Sequence, residues 1–182
     1  VESVLIPTES RTTACVSSQV GCSLNCEFCA TAKLKRMRNL EVAEIVDQVA
    51  LIDKQSKLYF DRPLSNIVFM GMGEPMMNYK NVVDAIKKIT EEDGLGMSAR
   101  RITVSTSGIP KMMRMLADEN LKVKLALSLH SAIEHKRNEI MPFSTKFPLT
   151  EIMEAMQYWY NKTDNRITFE YCVWKGINDG DE

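Results

Sequence analysis

Apolar and polar residues alternate along the stretch 122–129, which predicts a β-strand with two chemically different faces. Leu125 and Leu127 fall on one face, while Ala126 and Ser128 fall on the other. Successive strand residues point to opposite sides of a sheet, so the leucines are expected to lie beneath helices. The stretch 166–173 alternates in the same way and carries Glu170 on its polar face. Together with three shorter apolar runs, the predicted strands are 11–17, 66–70, 101–105, 122–129 and 166–173.

Between these strands, apolar residues recur three and four positions apart, which predicts amphipathic helices. The apolar positions lie in the stretches 42–52, 82–89, 112–116 and 152–159. Asn78 and Thr150 are the predicted N-caps of the second and fourth helices, and Pro110 suits the first turn of the third. The alternation of strands and helices predicts an α/β fold of repeated βα units around a mainly parallel sheet. Because two strands are polar on one face only, this sheet is expected to curve around a site.

The composition is that of an ordinary globular protein. The chain has 182 residues, of which 45% are hydrophobic and 26% charged, and its net charge is −1. This length suits one domain, taken as residues 1–182. Overall charge does not indicate a nucleic-acid binder, so such a partner would contact local basic patches at 33–38, 100–101 and 136–137. No apolar run has the length of a membrane span, and no membrane partner is expected.

Cys22, Cys26 and Cys29 form the spacing Cys-x3-Cys-x2-Cys, which delivers three thiolates from one short loop. An iron–sulfur cluster ordinarily takes four thiolates, so three leave one iron open for a ligand. A closed zinc site would need one more ligand, for which the candidates are Cys15, Cys172, His130 and His135. Disulfides are disfavoured because five cysteines is an odd number. Free thiols and a reducible cluster fit a reducing cytosol, so a cytoplasmic location is expected.

The loop Cys22-Ser-Leu-Asn-Cys26-Glu-Phe-Cys29 resembles that of radical S-adenosylmethionine (SAM) enzymes, in which an aromatic residue typically precedes the last cysteine. The resemblance implies a [4Fe-4S] cluster on the three cysteines, with SAM chelating the open iron. Cores of this superfamily are usually partial (β/α)6 barrels. About five βα units are visible here, so the chain is expected to be a segment of a longer protein whose sixth strand lies beyond residue 182.

A second motif supports this resemblance. Gly-Met-Gly-Glu-Pro at 71–75 follows an apolar run and resembles the Gly-Gly-Glu-Pro element of the superfamily. The resemblance implies that Glu74 accepts hydrogen bonds from the ammonium group of SAM, a charge-assisted contact. Taken alone, the same glycines also suit a simple turn at the end of a strand.

A narrower resemblance covers nearly the whole chain. Cys15-Val-Ser-Ser-Gln-Val-Gly-Cys22, Ser-Leu-His at 128–130 and Asn-Asp-Gly at 178–180 resemble the RlmN/Cfr family of RNA methyltransferases. Val20 and Pro75 resemble the RlmN branch, which methylates carbon 2 of an adenosine in 23S rRNA and in tRNA. The family also implies a reducing electron-transfer protein as a partner. The SAM-binding residues implied by its motifs are Gly73, Glu74, Ser105, Ser128, Leu129 and His130.

The same resemblance implies two catalytic residues. In the family a methylated cysteine carries the methyl group to the adenine ring, and Cys15 matches a second cysteine that resolves the covalent adduct by forming a disulfide. Glu2 matches the acceptor of the ring proton. The methyl-carrying cysteine and an amino-terminal RNA-recruiting domain are expected outside residues 1–182, so this segment alone is expected not to methylate RNA. Without the resemblance, Cys15 suits inert packing, His130 a core position, and Cys172 packing or a lining of the lumen.

Three other functions stay open at this point. One is methylation of carbon 8, as in the Cfr branch, and another is a radical SAM enzyme acting on protein or small molecules. Cys15 and the motif around it argue against the latter. The third is a zinc-stabilised RNA-binding module without catalysis, which binding of iron and sulfide would distinguish from a cluster protein.

Overall fold

A computed structural model describes residues 1–180 of the chain. Residues 181–182 of the predicted domain lie outside the described residues. The strands and helices, in chain order, are β1 (Val4–Pro7), β2 (Thr12–Cys15), β3 (Gln19–Val20), β4 (Arg38–Asn39), α1 (Val42–Phe60), β5 (Asn66–Phe69), α2 (Tyr79–Thr90), β6 (Ile102–Thr106), α3 (Pro110–Asp118), β7 (Lys124–Ser128), α4 (Glu134–Ile140), α5 (Leu149–Thr163) and β8 (Ile167–Glu170).

The main sheet has the strand order β1-β2-β5-β6-β7-β8. Its pairs from β2 to β8 are all parallel, which confirms the predicted α/β fold with a mainly parallel sheet. The exception is β1, which pairs antiparallel with β2 and places Val4 opposite Cys15. This strand was missed in the sequence because three of its four residues are exposed, so it lacks a buried apolar face. Two short strands, β3 and β4, form a separate antiparallel pair beside the cysteine loop.

The two faces of the sheet differ as the alternation predicts. Leu125 and Leu127 are fully buried in the core against the helices, together with Ile67 and Val104 of neighbouring strands. The opposite face of β6 to β8 carries hydroxyls and a carboxylate, because Ser128 lies opposite Glu170 in the register. The apolar face of β8 departs from this pattern. Its Phe169 is 53% exposed, because β8 lies at the edge of the sheet.

The predicted helix starts have mixed outcomes. Pro110 does begin α3. Asn78 does precede α2, but its side chain donates to the carbonyls of Ser18 and Leu40 instead of capping the helix. The prediction for Thr150 is wrong: α5 begins at Leu149, and Thr150 lies within its first turn. No helix among residues 1–180 is long and apolar enough to cross a membrane.

Candidate active site

A cavity of about 300 Å³ lies at the carboxyl ends of the parallel strands, the edge at which ligands gather in such sheets. The cysteine loop, the turn after β5, and the ends of β6, β7 and β8 all contribute to its lining. The residues predicted from the sequence as site residues that line it are Cys22, Cys26, Cys29, Gly73, Glu74, Ser105, Ser128 and His130. Glu2, Cys15 and Leu129 are not part of the lining.

The cysteine loop is held to the rest of the fold by its backbone. The N–H of Cys22 donates to the carbonyl of Leu34 at 3.3 Å, and the N–H of Glu27 donates to that of Ile140 at 3.0 Å. Within the loop, the N–H of Cys29 donates to the carbonyl of Cys26 at 3.1 Å. The three cysteines form no disulfide, and each is half-buried.

Ionisation of Cys22 and Cys26 is unfavourable in the metal-free chain. Burial raises the pKa of Cys22, with smaller contributions from the charges of Cys29 and Glu74. Burial, followed by the charges of Cys22, Cys29 and Glu74, raises the pKa of Cys26 to about 12. Thiolates grouped in this way need a positive group between them, and a bound iron core provides one. The donor set therefore fits an iron–sulfur cluster held by Cys22, Cys26 and Cys29.

The described residues contain no preformed zinc site, and two of the four candidate fourth ligands are unsuited to one. Tetrahedral zinc places its sulfur ligands about 3.8 Å apart, given a zinc–sulfur distance of about 2.3 Å. Among residues 1–180, no group of three or more His, Cys, Asp or Glu side chains is arranged to hold a metal ion. Of the candidate fourth ligands, His130 Nδ1 already accepts a backbone N–H, and His135 is exposed outside the cavity. A four-iron cluster binds each thiolate through a different iron and does not require such a compact group.

Glu74 supplies a buried carboxylate that is only 3% exposed. Its Oε1 accepts the N–H of Met76 at 3.0 Å, and its Oε2 accepts the N–H of Ser107 at 2.8 Å. Burial raises the pKa of Glu74, and these hydrogen bonds partly offset that effect by stabilising the charged form. Each carboxylate oxygen keeps lone-pair capacity, so Glu74 is equipped to accept from a cationic donor in the cavity.

Glu170 is a site residue that sequence reasoning missed. The hydroxyls of Ser105 and Ser128 both donate to its Oε2, at 2.7 and 2.8 Å. One carboxylate thus joins the ends of β6, β7 and β8 and sets the direction of two hydroxyls that line the cavity. The signal was present, since Glu170 lies on the polar face of its strand, but alternation alone does not indicate which groups it meets.

His130 is buried, with 3% of its surface exposed. Its ring packs against Phe28 of the cysteine loop, with a centroid distance of 4.3 Å. Burial lowers the pKa of His130, which favours the neutral ring. The ring atom Nε2 has no hydrogen-bond partner among the described residues. A buried polar atom without a partner beside a cavity fits a ligand that would supply one.

Two cations of the predicted basic patches are bonded to other residues of the chain. The prediction that Arg137 belongs to a basic surface patch is wrong, because it is only 1% exposed. Its guanidinium donates to the carbonyls at the ends of β6 and β7, at 2.6 Å to Ser107 and 3.3 Å to Ser128. Its charge also lowers the pKa of Cys26, as the smallest of the contributions there. Arg38 lies on the surface but pairs with Glu44 at 2.7 Å.

The predicted catalytic pair lies beside the cavity. Cys15 ends β2, and burial raises its pKa while a hydrogen bond with the backbone of Met70, which lines the cavity, lowers it. The antiparallel pairing of β1 with β2 places Glu2 beside the carboxyl end of β2. There the backbone carbonyl of Glu2 accepts a hydrogen bond from the hydroxyl of Ser17. Leu129 instead packs against the core and donates its N–H to the backbone carbonyl of Glu170 at 3.1 Å.

Cys172 is the fifth cysteine and lies at the exposed edge of the cavity. Its position agrees with the predicted lining of the lumen rather than with core packing. Its backbone N–H donates to His130 Nδ1 at 3.1 Å, which connects the segment after β8 to the histidine.

Curated proteins of two bacteria are similar in sequence to this chain. The chain is 71% identical over 182 residues to a protein of Flavobacterium psychrophilum named probable dual-specificity RNA methyltransferase RlmN, an alignment that covers 100% of this chain and 52% of that protein. A protein of the same name from Thermus thermophilus is 46% identical over 178 residues, covering 98% and 50%. The chain thus spans about half the length of the curated relatives it matches.

A solved structure and a family model both indicate the radical SAM superfamily. The crystal structure of a radical SAM methyltransferase from Sphaerobacter thermophilus matches with a TM-score of 0.95 and 42% identity, over 98% of this chain and 52% of that one. A family model described as the radical SAM superfamily matches residues 16–182. Since this match includes the cysteine loop and every lining element of the cavity, the chain belongs to the radical SAM superfamily.

Proposed function

We propose that this chain is the core of an RNA methyltransferase that uses SAM to methylate carbon 2 of an adenosine in 23S rRNA and in tRNA. The observation that carries the proposal is the convergence of three free thiols, the Glu74 carboxylate and the His130 ring on one cavity. The names of the relatives, which specify a dual-specificity RNA methyltransferase, support the substrate class.

The residues of the cavity divide into two groups. Cys22, Cys26 and Cys29 would hold the cluster, while Glu74 and His130 would hold SAM together with Gly73, Ser105 and Ser128. A bound and reduced cluster with SAM supplies one-electron chemistry that reaches unactivated carbon–hydrogen bonds. Carbon 2 of adenine carries no acidic proton, so chemistry of this kind is needed to methylate it. A reducing electron-transfer protein is the partner this chemistry requires, and a cytoplasmic location suits the five free thiols.

Glu74 would bind the ammonium group of SAM. Its carboxylate has two backbone donors fixing its orientation and is shielded from water, which strengthens a charge-assisted contact. An ammonium ion would stabilise the charged form of Glu74 and so reverse the effect of burial on its pKa.

Cys15 and Glu2 are proposed for the steps at the base. We assign Cys15 as the thiol that attacks the sulfur of the methyl-carrying cysteine, so that a disulfide forms as the carbon–sulfur bond to the methylated base breaks, and Glu2 as the acceptor of the ring proton. The pairing of Val4 with Cys15 supports this assignment, because it brings the amino-terminal segment to the carboxyl end of β2. Burial raises the pKa of Cys15, so a nearby base would help it to react as a thiolate.

RNA would contact basic side chains beside the cluster loop. Lys35 and Arg36 are exposed and line an open hollow that also reaches Cys22. Exposed cations of this kind suit phosphate contacts, which position an RNA without reading its sequence.

Anaerobic reconstitution with iron and sulfide tests the proposal. The chain should bind four irons with broad visible absorption, as a [4Fe-4S] cluster requires. After reduction it should then cleave SAM to 5′-deoxyadenosine. Cys26→Ser should lose the cluster, whereas the matched control Cys172→Ser should keep it, because Cys172 lies at the edge of the cavity. Equal iron binding by both variants, or zinc retained through a chelator in place of iron, would contradict the proposal.

A further inference from the structure

Asn178 uses every polar atom of its side chain to fold the segment after β8 onto His130. Its Nδ2 donates to the carbonyls of His130 and Cys172, at 2.6 and 2.7 Å. Its Oδ1 accepts the N–H of Trp174 at 2.7 Å. Asn178 is only 6% exposed, so these bonds are shielded from water. The function proposed above gives this residue no role.

The backbone of His130 depends on this contact. His130 has a φ of 56°, in the left-handed region that residues other than glycine rarely adopt. Such a conformation persists only where its surroundings enforce it. Here the N–H of His130 donates to the carbonyl of Glu170 at 3.2 Å, and the carbonyl of His130 accepts from Asn178. Both backbone groups of His130 are therefore bonded to residues of β8 or of the segment after it.

The same segment determines where the ring carries its proton. The backbone N–H of Cys172 donates to His130 Nδ1 at 3.1 Å, so Nδ1 must be unprotonated. A neutral imidazole then carries its proton on Nε2 and is a donor there. This Nε2 is buried without a partner among the described residues, in a histidine that lines the cavity. A ligand with an acceptor atom would satisfy this buried donor.

We propose that Asn178 is a positioning residue that holds the segment after β8 so that His130 stays in the Nε2–H tautomer and offers this N–H to an acceptor atom of the bound cofactor. The identity of the ligand as SAM rests on the proposed function, but the tautomer does not. Phe28 and Trp174 pack around the ring, with centroid distances of 4.3 and 6.3 Å, and limit its rotation.

Imidazole ¹⁵N chemical shifts measured on the reduced, metal-free protein test the tautomer. The chain has two histidines, so His135→Gln assigns the signals of His130 unambiguously. The wild type should show an acceptor-type Nδ1 and a protonated Nε2. Asn178→Ala should shift both nitrogens toward the averaged values of exchanging tautomers. The control Asn161→Ala, at an exposed position of α5, should leave them unchanged. A protonated Nδ1 in the wild type, or unchanged shifts in a folded Asn178→Ala variant, would overturn the assignment.

Cofactor affinity tests the donor, using two variants at His130 in the reconstituted protein. His130→Gln keeps an amide donor near the position of Nε2, whereas His130→Asn keeps only a group near Nδ1. Loss of one buried hydrogen bond corresponds to roughly a tenfold weaker affinity. SAM should therefore bind His130→Asn roughly tenfold more weakly than His130→Gln. Equal affinities would overturn the donor role. A wild type that has the Nε2–H tautomer but binds no SAM would instead refute the proposed function and leave the role of Asn178 in fixing the tautomer supported.

Discussion

Gly73→Ala should disturb the cavity more than its single added carbon suggests. Gly73 has a φ of 92°, and a Cβ atom there would lie 2.4 Å from Cβ of Gln19. Gln19 is fully buried and cannot move outward. Its Oε1 accepts the N–H of Glu74 at 3.0 Å, and its Nε2 donates to Asn39 at 2.7 Å. Displacing Gln19 therefore breaks the hydrogen bond from the backbone N–H of Glu74, which helps to orient the Glu74 carboxylate in the cavity.

The expected magnitude has two parts. A residue other than glycine in this backbone conformation costs about 1–3 kcal/mol. Leaving the buried N–H of Glu74 without a partner costs about 1–3 kcal/mol more. Gly73→Ala should thus lower the free energy of unfolding by about 2–6 kcal/mol.

Gly96→Ala is the matched control. Gly96 also has a positive φ, of 58°, but an added Cβ would have nothing within 4 Å. It should therefore show only the backbone cost, about 1–2 kcal/mol.

Urea unfolding of the reduced, metal-free chain, followed by circular dichroism, gives the free energy of unfolding of both variants. The change is read from the shift of the urea midpoint at an unchanged dependence of free energy on urea concentration. SAM affinity of the reconstituted chains is the second measurement, and it should fall for Gly73→Ala only. Equal destabilisation by the two variants, with unchanged SAM binding, would refute the reasoning from Gln19.

Three further predictions concern side chains at or near the cavity. Arg137→Met should lower the free energy of unfolding by about 3 kcal/mol, because buried carbonyls lose their donor, and Arg137→Lys should cost less in the same urea experiment. Glu170→Ala should destabilise by about 2 kcal/mol and Glu170→Gln by about half as much, since glutamine still offers an acceptor to the two serine hydroxyls; identical midpoints would contradict a bridging role. In the full-length enzyme, reversing Lys35 and Arg36 to glutamate should weaken binding of a 23S rRNA hairpin and reduce the slope of log affinity against log salt by about two. An unchanged slope in filter binding would exclude these two residues from the RNA interface.

Local patterns in the amino-acid sequence were sufficient to predict much of the fold. The alternation around Leu125 and Leu127 reported which face of β7 is buried, because side-chain direction in a strand follows from its period of two. Pro110 marked a helix start, since its fixed φ suits the first turn. The cysteine spacing located the loop that lines the cavity with three thiols, because three thiols in eight residues necessarily share one short segment.

Other features depended on contacts between segments distant in the chain. Arg137 looks like a surface cation beside Lys136, yet it is buried because carbonyls at the ends of β6 and β7 lie around it. Glu170 became a bridge only when the strand order placed it within reach of hydroxyls from two neighbouring strands. The antiparallel β1 had no apolar face to reveal it.

The physical reason for this division is the separation along the chain between the residues that make each contact. Periodicity and spacing reflect the geometry of a few consecutive residues, which the amino-acid order specifies directly. The tautomer of His130 depends on the backbone N–H of Cys172, which follows 42 positions later in the chain. Asn178, which donates to the carbonyl of His130, lies 48 positions away. Such contacts exist only after packing has selected which strand ends and loops meet, so they had to be read from the folded chain.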